Sequence, residues 1–181
     1  MKKLRKLMGL LICLCALLLF LPGKAEAASS GTCGDNLTWT LDAGTLTISG
    51  TGDMWDDASA NQSFMYNYRR VVSSIVIEEG VTSIGDYAFY DCIYVSEVTI
   101  PDTVTRIGKG SFSYGRLLQV TLGSSLQEIG VNAFRDNYYL TRIIIPDTVT
   151  SIGDGAFANN YALKDLTVGA GMRQIGASAF Y

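Results

Sequence analysis

One hexapeptide pattern, Ile-Gly-x-x-(Ala/Ser)-Phe, recurs five times. It occupies Ile84–Phe89, Ile107–Phe112, Ile129–Phe134, Ile152–Phe157 and Ile175–Phe180. Successive isoleucines lie 23, 22, 23 and 23 residues apart. A fixed period of this length is the mark of stacked supersecondary units, each too small to bury its own apolar face and each covered by its neighbours. The chain is therefore expected to form a solenoid, which offers a long surface to a partner rather than a closed pocket.

Within each period a second pattern ends seven residues before the repeated isoleucine. It is a β-like triplet: Ile75-Val76-Ile77, Val98-Thr99-Ile100, Val120-Thr121-Leu122, Ile143-Ile144-Ile145 and Leu166-Thr167-Val168. Apolar first and third residues with a β-branched residue between them predict a short strand buried on one face. Pro101 and Pro146 follow two of these triplets and turn the chain, because proline cannot donate to a ladder and fixes φ. An apolar column follows at Val81, Val104, Leu126, Val149 and Met172, and Val104–Ile107 reads as a second strand of the rung. The Ala-Phe step is placed in a helical or 3₁₀ turn. The expected class is α/β but mostly β, with stacked parallel strands.

The columns have separate roles. Ile and Phe should form interior ladders. The glycine column, Gly85, Gly108, Gly130, Gly153 and Gly176, requires either positive φ or a backbone approach too close for a Cβ. Asn137 and Asn160, three residues after Phe, should bond backbone groups exposed by the turn, and Cys92 holds the same position. The second rung lacks this residue, because one position is missing between Phe112 and Leu117, so Gly115 or its neighbours must compensate.

The N-terminal segment is of another kind. Lys2, Lys3, Arg5 and Lys6 precede an apolar run, Leu7–Leu21, and Ala25-Glu26-Ala27 closes it. This order reads as a signal peptide over residues 1–27, cleaved after Ala27. The rival reading is a retained anchor, for which a run of 15 residues is short against the roughly 20 that span a bilayer. Its removal leaves 9 basic and 16 acidic residues, a net charge of −7. That balance disfavours nucleic acid and anionic membrane, both of which need clustered cations. Secretion permits a disulfide between Cys33 and Cys92, although the repeat position of Cys92 argues for a small buried turn residue instead.

Leu37, Trp39 and Leu41 alternate with threonines, as do Leu46 and Ile48 after Asp42-Ala43-Gly44. This is a β-hairpin with an expected three-residue loop and glycine in the left-handed position. Residues 28–70 are read as a capping region, with Met54, Trp55, Phe64, Met65 and Tyr66 joining the hairpin over the open end of the first rung. Residues 71–181 are read as five repeats, the last incomplete. An exposed fifth rung would favour a fragment of a larger protein, or end-to-end association with another chain.

The pattern Leu140-x-x-Ile143-x-Ile145-Pro146-x-x-Val149-x-x-Ile152-Gly153-x-x-Ala156-Phe157-x-x-Asn160 resembles the BspA-like (Treponema-type) leucine-rich repeat. Cys33–Leu41 with Gly44–Gly52 resembles the segment that often precedes such repeats in secreted bacterial proteins. The resemblance covers essentially all of the chain after the leader. It implies a leucine-rich-repeat solenoid, secretion or surface display, and in some members adhesion to host matrix proteins or other bacteria. The chain has fewer repeats than the larger members, and no anchor, sorting signal or catalytic domain is read in it.

The candidate binding residues are those between the invariant columns. One outward column is Thr99, Thr121, Ile144 and Thr167, with Val76 before it. The column one step away along the strand is Glu97, Gln119, Arg142 and Asp165. These either read a protein or glycan, or are ordinary solvated strand residues in which Arg142 and Asp165 merely pair. Tyr90, Tyr94, Tyr114, Tyr138, Tyr139 and Tyr161 lie in the turn after Phe; they offer rigid amphipathic contact area, with Tyr94, Tyr138, Tyr139 and Tyr161 the candidates, or else shield the rung edges. Asp53, Asp56 and Asp57 match no defined Ca²⁺ loop and read as a solvated acidic segment. The chain has no histidine, which removes Ser-His-Asp and Cys-His catalysis and histidine metal sites. No enzyme, cofactor or metal is expected. The expected partner is a protein or glycan on host or neighbouring cells, engaged by an adhesin-like secreted module. The competing reading is a structural repeat piece without a ligand, and a weaker one is a carbohydrate-binding accessory.

Overall fold

Each rung turns three corners and so presents three faces. In this computed structural model, which describes residues 29–181, the first face carries β5 (Ser74–Ile77), β7 (Glu97–Thr99), β9 (Gln119–Thr121), β11 (Arg142–Ile145) and β13 (Asp165–Val168). The second carries β6 (Val81–Ile84), β8 (Arg106–Ile107), β10 (Glu128–Ile129), β12 (Ser151–Ile152) and β14 (Gln174–Ile175). β7, β9, β11 and β13 form one parallel sheet, and the five strands of the second face belong to another. In the first four rungs the expected triplets turn their first and third residues inward: Ile143 and Ile145 are buried while Ile144 stands exposed between them. The leader proposed for residues 1–27 lies outside the described residues.

The third face is the turn after the repeated isoleucine, and here the expectation of a helical turn needs correction. No helix forms among the described residues. Two residues in each of the first four rungs, and one in the fifth, take left-handed φ near +60°: Tyr87, Gly110, Asn132, Gly155 and Ser178 in one column, and Asp91, Tyr114, Asp136 and Asn159 in the other. A left-handed residue breaks a helix, so the segment instead zigzags and stacks. Alternate amides bond the next rung, as in Tyr87 N–H to Lys109 O at 2.8 Å, Phe89 N–H to Ser111 O at 2.8 Å and Asp91 N–H to Ser113 O at 2.9 Å. The amides between them close local turns, Ala88 to Gly85 and Tyr90 to Tyr87. The same arrangement recurs in the next three rungs, so buried backbone groups there are paired without a helix or a regular strand.

The glycine column is settled by the same geometry. Its members do not have positive φ. A Cβ on Gly153 would lie 2.5 Å from the amide nitrogen of Val131, and one on Gly130 2.8 Å from the carbonyl carbon of Gly108. Close approach of successive rungs is thus the reason for glycine.

The interior is a ladder of like on like. Phe112 stacks on Phe134, Phe134 on Phe157, and Phe157 on Phe180, each pair with centroids 5.2 Å apart. That spacing sits just above the strand separation of about 4.8 Å, and each ring pair adds about 0.5–1.5 kcal/mol beyond its burial. Asn137 and Asn160 run along one corner as expected. Asn137 Nδ2 donates to Phe134 O at 3.0 Å in its own rung and to Phe112 O at 2.8 Å in the rung before. Its Oδ1 accepts from Leu117 N at 3.2 Å. A Cβ on Gly115 would meet that same oxygen at 2.5 Å. The rung that lacks its own polar residue therefore borrows one from its neighbour, and Gly115 leaves the space for it.

The hairpin is β2 (Leu37–Asp42) and β3 (Thr45–Gly50), flanked by β1 (Ser29–Thr32). β3 pairs parallel with β5, and β4 (Gly52–Asp53) pairs parallel with β6. The hairpin, through β3, and β4 after it thus extend the two strand faces before the first rung. Asp42 pairs with Thr45, leaving a two-residue turn rather than three, and both Ala43 (φ 45°) and Gly44 (φ 82°) are left-handed. Met54 and Met65 are buried, and Phe64 packs against the core. Trp55 and Tyr66 are exposed instead, and Trp39 and Tyr68 pack in their place, their rings 5.2 Å apart and tilted by 56°. Trp55 contributes its backbone: its carbonyl oxygen lies where a Cβ of Gly85 would be. In the fifth rung Leu166, Val168 and Ile175 are exposed.

Candidate functional site

Cross-strand register collects the candidate residues into two straight columns. Glu97 faces Gln119, Gln119 faces Arg142, and Arg142 faces Asp165. Thr99 faces Thr121, and Ile144 faces Thr167. All eight side chains are exposed. Arg142 and Asp165 are register neighbours, yet they form no ion pair among the described residues, whose five ion pairs lie elsewhere.

The columns are not uniform. β7 and β9 register over three residue pairs and β11 and β13 over four, but β9 and β11 register only at Gln119 and Arg142. At this joint β9 runs into Leu122-Gly123, where β7 and β11 run into Ile100-Pro101 and Ile145-Pro146. A groove of about 660 Å³ lies there, lined by Gln119, Thr121, Arg142 and Ile144 from the expected columns and by Leu118, Asp102 and Ser124. Leu118 and Ile144 are about half exposed, at 53% and 49%. Asp102 Oδ1 accepts from Ser124 N–H at 2.6 Å, which holds its carboxyl below the usual range and keeps it ionised. The groove thus offers two apolar side chains, a guanidinium and a carboxylate. Glu97 and Thr99 flank it on one side, and Asp165 and Thr167 on the other. Leu118 escaped the sequence reading. The signal was the doublet Leu117-Leu118, of which a strand can bury only one.

The four candidate tyrosines are exposed but do not form one surface. Tyr138 and Tyr161 stack at 5.7 Å and 17°. Tyr138 O–H donates to Asp136 Oδ1 at 3.1 Å, and Tyr161 O–H to Asn159 Oδ1 at 3.1 Å. Tyr94 and Tyr139 project separately, 58% and 52% exposed. Other residues on the turn face, Tyr87, Tyr90, Lys109, Tyr114 and Arg135, line a second and smaller cleft.

The remaining reactive groups are occupied or suppressed. Asp53 accepts from the Thr82 hydroxyl at 2.6 Å, and Asp56 from Arg106 and from the amide of Asp86. Asp57 is pushed up chiefly by burial. Among the described residues no group of three acidic or sulfur side chains could hold a metal ion. Cys33 and Cys92 are free, buried thiols. Burial pushes Cys33 up to about 11 and Cys92 up to about 12, so neither supplies a thiolate near neutrality.

The pattern of the BspA type leucine rich repeat region matches residues 60–181 in six copies. The chain belongs to the BspA-type leucine-rich repeat family. Among solved structures it is similar to a leucine-rich repeat protein from Eubacterium ventriosum, with 28% identity and a TM-score of 0.66 over 81% of this chain and 45% of that one. It is also similar to the pneumococcal vaccine antigen PcpA, with 21% identity and a TM-score of 0.51 over 84% and 41%. A leucine rich cell surface protein of Faecalibacterium prausnitzii shares 22% identity and a TM-score of 0.50 over 84% and 52%. The chain thus spans about half or less of each of these proteins. Among curated proteins none matches. No helix of the described residues is long and apolar enough to cross a membrane.

Proposed function

We propose that this repeat module is a secreted or surface-associated bacterial binding protein, adhesin-like, that engages a protein partner through the strand face. The observation that carries this reading is the opened β9–β11 joint. It places Leu118 and Ile144 beside Arg142 and Asp102 in one concave groove on the face where solenoids of this kind present their variable residues. An exposed apolar pair rimmed by charges that form no ion pair among the described residues is the composition of an interface centre rather than of ordinary solvated strand. The leader expected over residues 1–27 supports export, and the similar structures include a vaccine antigen and a cell surface protein. Glu97, Thr99, Asp165 and Thr167 form the rim in this reading.

The test is surface plasmon resonance of the mature protein against purified matrix proteins and mucins, with Ile144→Asp and Arg142→Glu as controls. Both side chains are exposed, so the thermal midpoint should stay within a degree or two. Binding should weaken at least tenfold, about 1.4 kcal/mol or more, as for loss of a central contact. Binding unchanged by Ile144→Asp would remove the groove from the account, and failure of every panel member would remove the adhesin reading.

A further inference from the structure

The turn face carries two residues that the backbone does not favour. In the left-handed column after the glycines the other rungs place Gly110, Asn132, Gly155 and Ser178, while the first places Tyr87 (φ 57°). In the column after the phenylalanines the others place Asp91, Asp136 and Asn159, while the second places Tyr114 (φ 60°). Glycine, Asn and Asp enter this region readily, and a bulky aromatic residue does so at a cost. Tyr114 recovers little of that cost by burial, since it is 46% exposed. Two unfavoured residues from two separate columns line the same cleft, and a backbone cost concentrated at one cleft points to a task.

The cleft is about 280 Å³ and spans three rungs. Tyr90 lies 5.3 Å from Tyr114, tilted by 50°, and 6.2 Å from Tyr87 at 69°, so the three rings make one bent wall. Tyr87 lies over Gly110, where a Cβ would be 2.8 Å from its ring. Lys109 Nζ sits 5.5 Å over the Tyr87 ring, and Arg135 lines the same cleft. The nearest carboxylate partner of Arg135, Asp136, receives only its Nε, at 3.2 Å. Asp136 is itself buried and also bound by Tyr138 and Asn159. The terminal guanidinium nitrogens have no hydrogen-bond partner among the described residues and remain to meet a carboxylate as a two-pronged donor. The Asn132 side chain adds an amide on the same wall.

We infer that the Tyr87–Tyr90–Tyr114 cleft binds a carboxylated sugar unit, a hexuronate or sialate residue, of an extracellular glycan. The pyranose C–H face stacks on Tyr114 and Tyr90, and the carboxylate lies between Lys109 and Arg135. The ligand class follows from the pairing of a shallow aromatic wall with two cations in a chain whose net charge after the leader is −7. This site is on a different face from the strand groove and does not depend on it.

The experiment is saturation-transfer NMR and calorimetry of the mature protein with three probes: a glucuronate-terminated trisaccharide, 3′-sialyllactose and lactose. One or both acidic probes should bind at least tenfold more tightly than lactose. Binding of only the first identifies a uronate polymer as the source, and of only the second a sialoglycan. Tyr114→Asn and Lys109→Gln should each weaken the acidic probe at least tenfold. Tyr114→Asn should at the same time hold or raise the thermal midpoint, because asparagine suits the left-handed position. The inference is overturned if neither acidic probe binds, if lactose binds equally, if either variant binds like the parent, or if Tyr114→Asn lowers the midpoint.

Discussion

Single residues in this molecule serve more than one rung. Asn137 satisfies two carbonyls, Phe112 and Phe134, and the amide of Leu117, three bonds from one buried side chain. Asn160 satisfies two, Phe134 and Phe157, and its Oδ1 has no partner among the described residues. Each buried group left without its partner costs about 1–3 kcal/mol. Asn137→Ala is therefore expected to cost about 3–5 kcal/mol and Asn160→Ala about 2 kcal/mol, measured as the difference in unfolding free energy by urea titration. Equal losses at the two sites would mean that the bond to Leu117 contributes nothing. The role of the Asn column was legible in the sequence, because a small polar residue at a fixed step after Phe has backbone to serve. The double duty of Asn137 was foreshadowed only by the missing residue in the second rung.

At the scale of the element, strands were more legible than turns. A triplet such as Ile143-Ile144-Ile145 announces its buried face by alternation with its flanks, and the structure buries Ile143 and Ile145 as the pattern demands. The turn face reads as helical in the sequence but is not, because local i to i−3 bonds and left-handed residues leave no period in hydrophobicity. Tyr87 and Tyr114 conceal it further by standing where glycine or asparagine would have given the conformation away. The β2–β3 turn differs from its expected length for a related reason. Ala43 is left-handed (φ 45°) although alanine seldom is, so the sequence reads one residue too long there. Two-residue turns of this type prefer Asn-Gly. Ala43→Asn converts the existing Ala-Gly to that pair and is expected to stabilise the protein by about 0.5–1 kcal/mol, from the relief of a left-handed alanine. Calorimetry should record a higher midpoint, and a lower one would show that the introduced amide meets a contact that alanine avoids.

Across the whole molecule, stability is a sum over neighbouring rungs, since each touches only the rungs beside it. The sum is uneven. The Phe and Ile columns pass through the β9–β11 joint without a break, as the 5.2 Å stack of Phe134 on Phe157 demonstrates. The strand ladder outside them does not, for it registers at Gln119 and Arg142 alone. Side-chain packing holds the two halves of the solenoid together at this level while the backbone on one face stands partly open. A position that is poorly laddered yet anchored from within is where local opening should be cheapest. Amide exchange read by mass spectrometry is accordingly expected to be about tenfold faster in peptides ending at Leu122 than in those ending at Ile100. The latter's amide is fixed to Thr121 O at 2.8 Å. A partner seated in the groove should slow exchange at Leu122 and leave Ile100 unchanged. Uniform protection of the two peptides would mean that the joint is as tightly laddered as its neighbours, and the strand face would then lose the one feature that distinguishes its centre from its flanks.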